Sequence, residues 1–216
     1  MTGYHDAHFT EHHARAAVWS AIARYLAPYV PAGAEVAELG AGYCHWINHV
    51  VARRRVAADI WPDVRRHAAP GVEARVVDVG RELATLGGEA FDVVLASNLL
   101  EHFTPDAAAN VVAGVWSLLK PGGRVILIQP NFRLAWRSYF DDYTHRAVFT
   151  DVSLPALLRA HGFAIERVEP GILPYSMQGR RLPAAGWLVA AYLRSPYRPG
   201  AGQMLVVASK GLSHVR

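Results

Sequence analysis

The stretch Glu35-Val-Ala-Glu38-Leu-Gly40-Ala-Gly42-Tyr-Cys44 decides how this chain is read. An apolar strand stops at Gly40-x-Gly42, and beyond it Ile47, Val50 and Val51 carry the spacing expected of a helix. Strand, glycine turn and helix start together let a ligand approach bare backbone beside the partial positive charge of a helix N-terminus. A dinucleotide-binding turn would place a third glycine at position 45, to admit a pyrophosphate and allow close helix packing. His45 stands there instead. Glu38, just before the turn, attracts an ammonium group and repels phosphates. The ligand that suits this turn is a nucleoside joined to an amino acid, which argues against NAD or FAD.

Outward from the turn, β-branched apolar runs alternate with segments of helical period, the sign of an α/β core built on a mostly parallel sheet. Strands are predicted at Glu35 to Leu39, Val56 to Asp59, Ala74 to Asp78, Phe91 to Ala96, Arg124 to Gln129, Phe163 to Glu169 and Gln203 to Ser209. Asp59 ends the second, where a carboxylate can accept both hydroxyls of a ribose, and Ile60 follows it as an apolar face for adenine. Asp78 ends the third, placed for the adenine amino group, with the Val79 amide at the ring edge. Either acid alone could as well cap a strand end or a turn. With the glycine turn they form a set, because ligands of open α/β sheets bind at the carboxyl ends of the strands.

Thr104, Pro105 and Asp106 read as an N-cap, a first-turn proline and a dipole-favoured acid, ahead of Val111, Val115, Leu118 and Leu119 on one face. A second helix is expected from a Ser153 cap to a Gly162 stop. Val18, Ile22, Tyr25 and Leu26 have helical spacing, so residues 1–30 are expected to form a helical preamble closing over the site, with Tyr4 and Phe9 as lid contacts. Residues 171–201 form a long insert holding Arg180, Arg181 and the apolar run Trp187 to Leu193. A packed flap or a homodimer face is the favoured reading of it, a surface resting on lipid the alternative. At 216 residues one domain, 1–216, is expected.

Composition narrows the function. Hydrophobic residues make up 52% and charged ones 19%, which suits a globular chain. No apolar run approaches the roughly 18 residues of a membrane span, and the first residues lack a signal peptide's pattern, so a cytoplasmic address is expected. The single Cys44 agrees with a reducing compartment. The net charge of +4 comes from scattered arginines, without the dense basic stretch of a nucleic-acid binder. His5, His8, His12 and His13 cluster near the start, yet no acid or cysteine completes a metal site, and none is expected.

The ordered succession Glu38-x-Gly40-x-Gly42, Asp59-Ile-Trp-Pro62, Asp78, Phe91-Asp-Val-Val-Leu-Ala-Ser-Asn-Leu-Leu-Glu-His102 and Leu119-Lys-Pro-Gly-Gly-Arg-Val125 resembles the class I S-adenosylmethionine-dependent methyltransferases. The resemblance implies a Rossmann-like seven-stranded mixed sheet in the order 3-2-1-4-5-7-6, helices on both faces and the last strand antiparallel. It implies S-adenosylmethionine as cofactor and S-adenosylhomocysteine as product. Glu38, Gly40 and Gly42 would line the methionine part, Asp59 and Ile60 the ribose and adenine, Asp78 and Val79 the adenine edge. Ser97, Asn98 and Leu99 would face the sulfonium. The crowded Tyr43-Cys-His-Trp46 departs from the smaller residues common in the family.

Methyl transfer from a sulfonium needs an aligned acceptor in a dry pocket more than it needs a base. A hydroxyl acceptor still has a proton to lose, and His145 and His102 are the candidate bases. Each has a structural alternative: His145 could simply hold Asp141 or Asp142, and the Glu101-His102 pair could tie the turn before Thr104. The aromatics Phe132, Trp136, Tyr139, Phe140, Tyr143 and Phe149 suit a substrate wall. The expected reaction is O- or N-methylation of a small molecule, such as a secondary metabolite or a glycan- or lipid-linked intermediate. The rivals are a cofactor-binding partner protein without turnover, and other sulfonium chemistry on the same fold.

Overall fold

The computed structural model describes residues 13–174 and 185–211. Seven strands, β1 (Glu35–Leu39), β2 (Arg54–Asp59), β3 (Val72–Val76), β4 (Phe91–Ser97), β5 (Leu119–Pro130), β6 (Ala164–Pro174) and β7 (Ala201–Ser209), form one sheet in the order β3-β2-β1-β4-β5-β7-β6. The first five pair in parallel and β7 runs antiparallel to both β5 and β6. Strand order and the antiparallel last strand match the expectation from sequence.

The central strands are buried on both faces because their side chains are apolar at every step rather than at alternate ones. Val94 and Ala96 of β4 join one core cluster, Val93 and Leu95 the other. Helices close the two faces: α1 (His13–Leu26), α2 (Val64–His67), α3 (Pro105–Leu118), α4 (Phe132–Ala135), α5 (Ser153–Ala160) and α6 (Gly186–Arg194). Helix α3 starts as its sequence dictates, the Thr104 hydroxyl accepting from the Ala107 amide at 3.3 Å with Pro105 in the first turn. It buries Val111, Val112, Val115 and Leu118 on one face.

Helix α1 buries Val18, Ile22 and Leu26 as its spacing predicts, and α6 lies against it. A Cβ on Gly186 would meet the Ala17 carbonyl oxygen at 3.0 Å, so the absence of a side chain there sets how closely the two helices approach. Tyr25 extends the anchor. Its hydroxyl donates to Glu169 at 2.6 Å, and the same carboxylate receives Arg198 Nη1 at 2.5 Å. The described part of the insert is therefore packed against the domain. Tyr4, His5, His8, Phe9, His12, Arg180 and Arg181 lie outside the described residues. No helix among the described residues is long and apolar enough to cross a membrane.

Four expectations are corrected. The segment after the glycine turn is a run of turns rather than a helix, with Ile47 and Val50 buried and Val51 exposed. Its backbone bonds mix spacings, Asn48 N to Cys44 O and His49 N to Trp46 O, while the Ile47 amide is diverted to Glu38. Strand β3 ends at Val76, so Asp78 stands in the turn beyond it. Ser153 does not cap α5; the Thr150 hydroxyl accepts from the Val152 and Ser153 amides, and Ser153 Oγ accepts from Thr150 N in return. Strand β5 begins at Leu119, earlier than predicted, because Leu119 already pairs with Phe91.

Candidate active site

The carboxyl ends of β1, β2 and β4 lie side by side and bring the glycine turn, Asp59 and Ser97-Asn98 to one edge of the sheet. Gly40 and Gly42 have φ of 68° and 48°, in the left-handed region that glycine enters at no steric cost. A Cβ on Gly40 would stand 2.9 Å from Leu99 Cδ1, so the turn is also packed tight against the residue following Asn98.

Two carboxylates clasp this turn from inside. Asp59 Oδ2 accepts from Gly42 N at 2.7 Å and Oδ1 from Trp61 N at 2.8 Å. Glu38 Oε2 accepts from Ile47 N at 2.9 Å. Glu38 is 4% exposed and Asp59 5%. Burial, with Asp59 nearby, pushes the Glu38 carboxyl up to about 8 despite the Ile47 amide. Burial and the same two carboxylates push the Cys44 thiol up to about 12, so Cys44 stays protonated and is no nucleophile. Two buried acids for which the described residues provide no positive partner form a site that gains from a cation. The amino-acid end and sulfonium of S-adenosylmethionine would supply one, and these residues fit that group better than a diphosphate.

Ile60 is 52% exposed at the end of β2, an apolar side chain left at the surface next to Asp59. Asp78 is engaged locally: Oδ1 accepts from Gly80 N at 2.9 Å, and Oδ2 lies 3.8 Å from Arg81. Val79 turns its side chain into the core. Ser97 is the last residue of β4, and Asn98 follows with φ of 49°. The Asn98 side-chain oxygen accepts from Gln203 Nε2 at 2.8 Å, which ties β7 to this edge. Gln203 carries no sequence signal of its own, because its role comes from the antiparallel return of β7.

Tyr43, from the crowded stretch that departs from the family pattern, heads an aromatic cluster. Its ring lies 5.2 Å from Trp61 and 4.6 Å from His67, with His45 stacked at 5.8 Å. Helix α1 reaches the same place, where Arg15 interacts with Tyr43. These rings gather beside the turn from three separate segments, so their grouping was invisible in sequence.

The expected substrate wall divides in two. Tyr139 and Phe149 are buried, while Trp136, Phe140 and Tyr143 are exposed. The structure brings His145 of this loop against His102, which follows β4, with their rings 5.1 Å apart. Burial lowers the pKa of His145, and Asp142 partly offsets this, so the imidazole is neutral near neutral pH. The structural alternative for His145 is also present, its Nε2 lying 3.9 Å from Asp142, whereas His102 Nδ1 pairs with the Thr144 hydroxyl at 2.8 Å and so ties the distant loop rather than the turn before Thr104. Glu101, read from sequence as a turn residue, is 1% exposed beside them, and burial pushes its carboxyl up to about 8.

Comparison with known proteins agrees with this architecture. A family model described as a methyltransferase domain matches residues 10–168. No curated protein sequence matches the chain. A SAM-dependent methyltransferase from Archaeoglobus fulgidus superposes with a TM-score of 0.67 at 18% identity, covering 91% of this chain and 94% of the other. The N-methyltransferase NodS from Bradyrhizobium japonicum, solved with S-adenosyl-L-homocysteine, gives 0.63 at 12% identity, covering 88% and 85%. The [4+2]-cyclase SpnF also gives 0.63, at 18% identity, covering 89% and 81%. At these identities the structures speak for the fold, and the family model, spanning most of the chain, for the family. The chain belongs to the class I S-adenosylmethionine-dependent methyltransferases.

Proposed function

We propose that the chain transfers the methyl group of S-adenosylmethionine to an oxygen or nitrogen of a small-molecule acceptor. The observation that carries the cofactor assignment is the turn at Gly40 and Gly42, in left-handed conformation between the buried carboxylates of Glu38 and Asp59. In this reading Glu38, Gly40 and Gly42 hold the amino-acid end and Asp59 and Ile60 the ribose and adenine. Asp78 and Val79 meet the adenine edge, Ser97 and Asn98 the sulfur end. Asp78 can serve there while capping its own turn, because each carboxylate oxygen accepts more than one hydrogen bond.

When bound, the cofactor supplies a methyl group on an excellent leaving group. This chain's part is to orient the acceptor, exclude water and dispose of its proton. His102, after β4, and His145, in the loop after β5, are the groups we assign to that proton, and the exposed Trp136, Phe140 and Tyr143 of that loop would receive an aromatic or apolar acceptor. Helix α1 acts as a lid in this reading, supported by the electrostatic interaction of Arg15 with Tyr43 beside the glycine turn. One domain, with the insert as a packed flap, is part of the same proposal.

Calorimetric titration with S-adenosylhomocysteine tests the cofactor site, and incubation of labelled S-adenosylmethionine with a panel of phenols, amines and glycosides tests turnover. The likeness to the cyclase SpnF keeps a second reading open, in which the same cofactor site serves other chemistry. Tight S-adenosylhomocysteine binding with no labelled product across the panel would favour it.

A further inference from the structure

Glu101 is buried, and among the described residues neither carboxylate oxygen has a hydrogen-bond partner other than its own peptide N–H. A buried carboxylate in this state is costly to the fold, so what it faces matters. It faces His102 and His145. One ligand atom from each of the three residues lies within 4.8 Å of the other two. Ligands around a cation with bonds of about 2.1 Å stand roughly 3 to 3.4 Å apart, so side-chain rotations of about an ångström would close the set.

We propose that Glu101, His102 and His145 bind one divalent transition-metal cation, and that the acceptor reaches this cation through an oxygen. Two imidazoles and one carboxylate are the donor set of zinc and neighbouring first-row metals, and three protein ligands leave coordination positions open. Behind the ligands stands a second layer. Asp142 Oδ1 accepts from the Thr144 hydroxyl at 2.6 Å, the same hydroxyl meets His102 Nδ1, and Asp142 Oδ2 lies 3.9 Å from His145 Nε2. Such partners fix ring orientation at metal sites.

The loop carrying His145 is pinned to Glu101 itself. The Glu101 carbonyl accepts from Arg146 N at 2.7 Å and Ala147 N at 3.1 Å, and the buried Tyr139 hydroxyl donates to Ala147 O at 2.5 Å. The three side chains therefore come from two segments held by backbone hydrogen bonds. Glu101 and His102 follow β4 and His145 follows β5, on the carboxyl edge of the sheet that also carries Ser97 and Asn98. This deepens the proposed function and rests on it for the acceptor. The substrate class it names is an oxygen acceptor that can ligate a metal, such as a phenol or a sugar hydroxyl. With the cation bound, the two histidines act as its ligands and promote loss of the acceptor's proton through it rather than accepting that proton themselves.

The test uses the full chain, stripped of metal with a chelator and titrated with Zn(II) by calorimetry and with Co(II) by visible absorption. The histidines near the N-terminus could take up the same ions, so the reading is the difference between wild type and variants that all retain them. Wild type is expected to bind one more equivalent than Glu101→Gln and His145→Ala, or the same ion at least tenfold more tightly. His8→Ala/His12→Ala keeps that equivalent. Zn(II) is expected to raise the melting temperature of wild type and not that of Glu101→Gln, whose neutral amide keeps the shape of the side chain but withdraws the carboxylate ligand. Identical Zn(II) stoichiometry and affinity in wild type and Glu101→Gln, or a wild-type melting temperature that Zn(II) leaves unmoved, would overturn the proposal. S-adenosylhomocysteine affinity, measured on the same samples, is expected to be equal in all of them. Its absence in wild type would defeat the methyl-transfer reading and leave the metal result standing.

Discussion

The Gly42 amide donates to Oδ2 of Asp59 at 2.7 Å, locking the turn after β1 to the end of β2. One carboxylate thus shapes the turn and is assigned to the ribose. Asp59→Ala removes both roles. A hydrogen bond to a charged group is worth about 1.5–3 kcal/mol, so S-adenosylhomocysteine affinity should fall at least tenfold. Calorimetry reads this directly, and an unchanged dissociation constant would remove Asp59 from the site.

Gly40→Val should be more severe. A β-branched residue at φ of 68° is strained, and its Cβ would press on Leu99 Cδ1 at 2.9 Å. Left-handed strain alone costs roughly 1–2 kcal/mol. We expect a lowered melting temperature and no measurable cofactor binding. A variant that melts and binds as wild type does would show that the turn tolerates a side chain.

Glu38 makes a prediction about pH. Its folded-state pKa of about 8 lies above its ordinary value of 4.5, so the folded protein holds a proton that the unfolded chain has released. Stability from this group is complete below about pH 4.5 and is lost as pH rises through 8. His145 is shifted the other way, which sets its influence below its ordinary value of 6.5. Between about pH 6.5 and 8 the melting temperature of the cofactor-free protein should therefore fall faster in wild type than in Glu38→Gln. Parallel profiles for the two proteins would mean that Glu38 is ionised throughout.

His145→Ala should lower turnover at least tenfold, since a positioned proton acceptor contributes typically 10²–10⁴-fold. Affinity for S-adenosylhomocysteine should stay the same, because His145 sits in the loop after β5, apart from the glycine turn. Wild-type turnover would confine His145 to holding Asp142.

The β4 motif and the Thr104 cap were legible because each is local, whereas the strand order came only from the family resemblance. Period, capping chemistry and glycine placement act over a few residues, and the ordered motifs carried the topology. The turns after Gly42 were misread because Ile47 and Val50 have helical spacing, while the Glu38 carboxylate, nine residues away in sequence, captures the Ile47 amide. Gln203 and the cluster of Tyr43, Trp61 and His67 arise only once distant segments meet. Glu101 was in view beside His102, yet its burial and the approach of His145 depend on a loop 45 residues downstream, pinned to its carbonyl.

The central claim is that the glycine turn, with its two buried acids, accepts a cationic amino-acid nucleoside and refuses a pyrophosphate. Side-by-side calorimetric titration of the wild-type protein with S-adenosylhomocysteine and with NAD tests it most directly. The account predicts saturable one-to-one binding of S-adenosylhomocysteine and no heat of binding from NAD. Uptake of NAD with indifference to S-adenosylhomocysteine would contradict it.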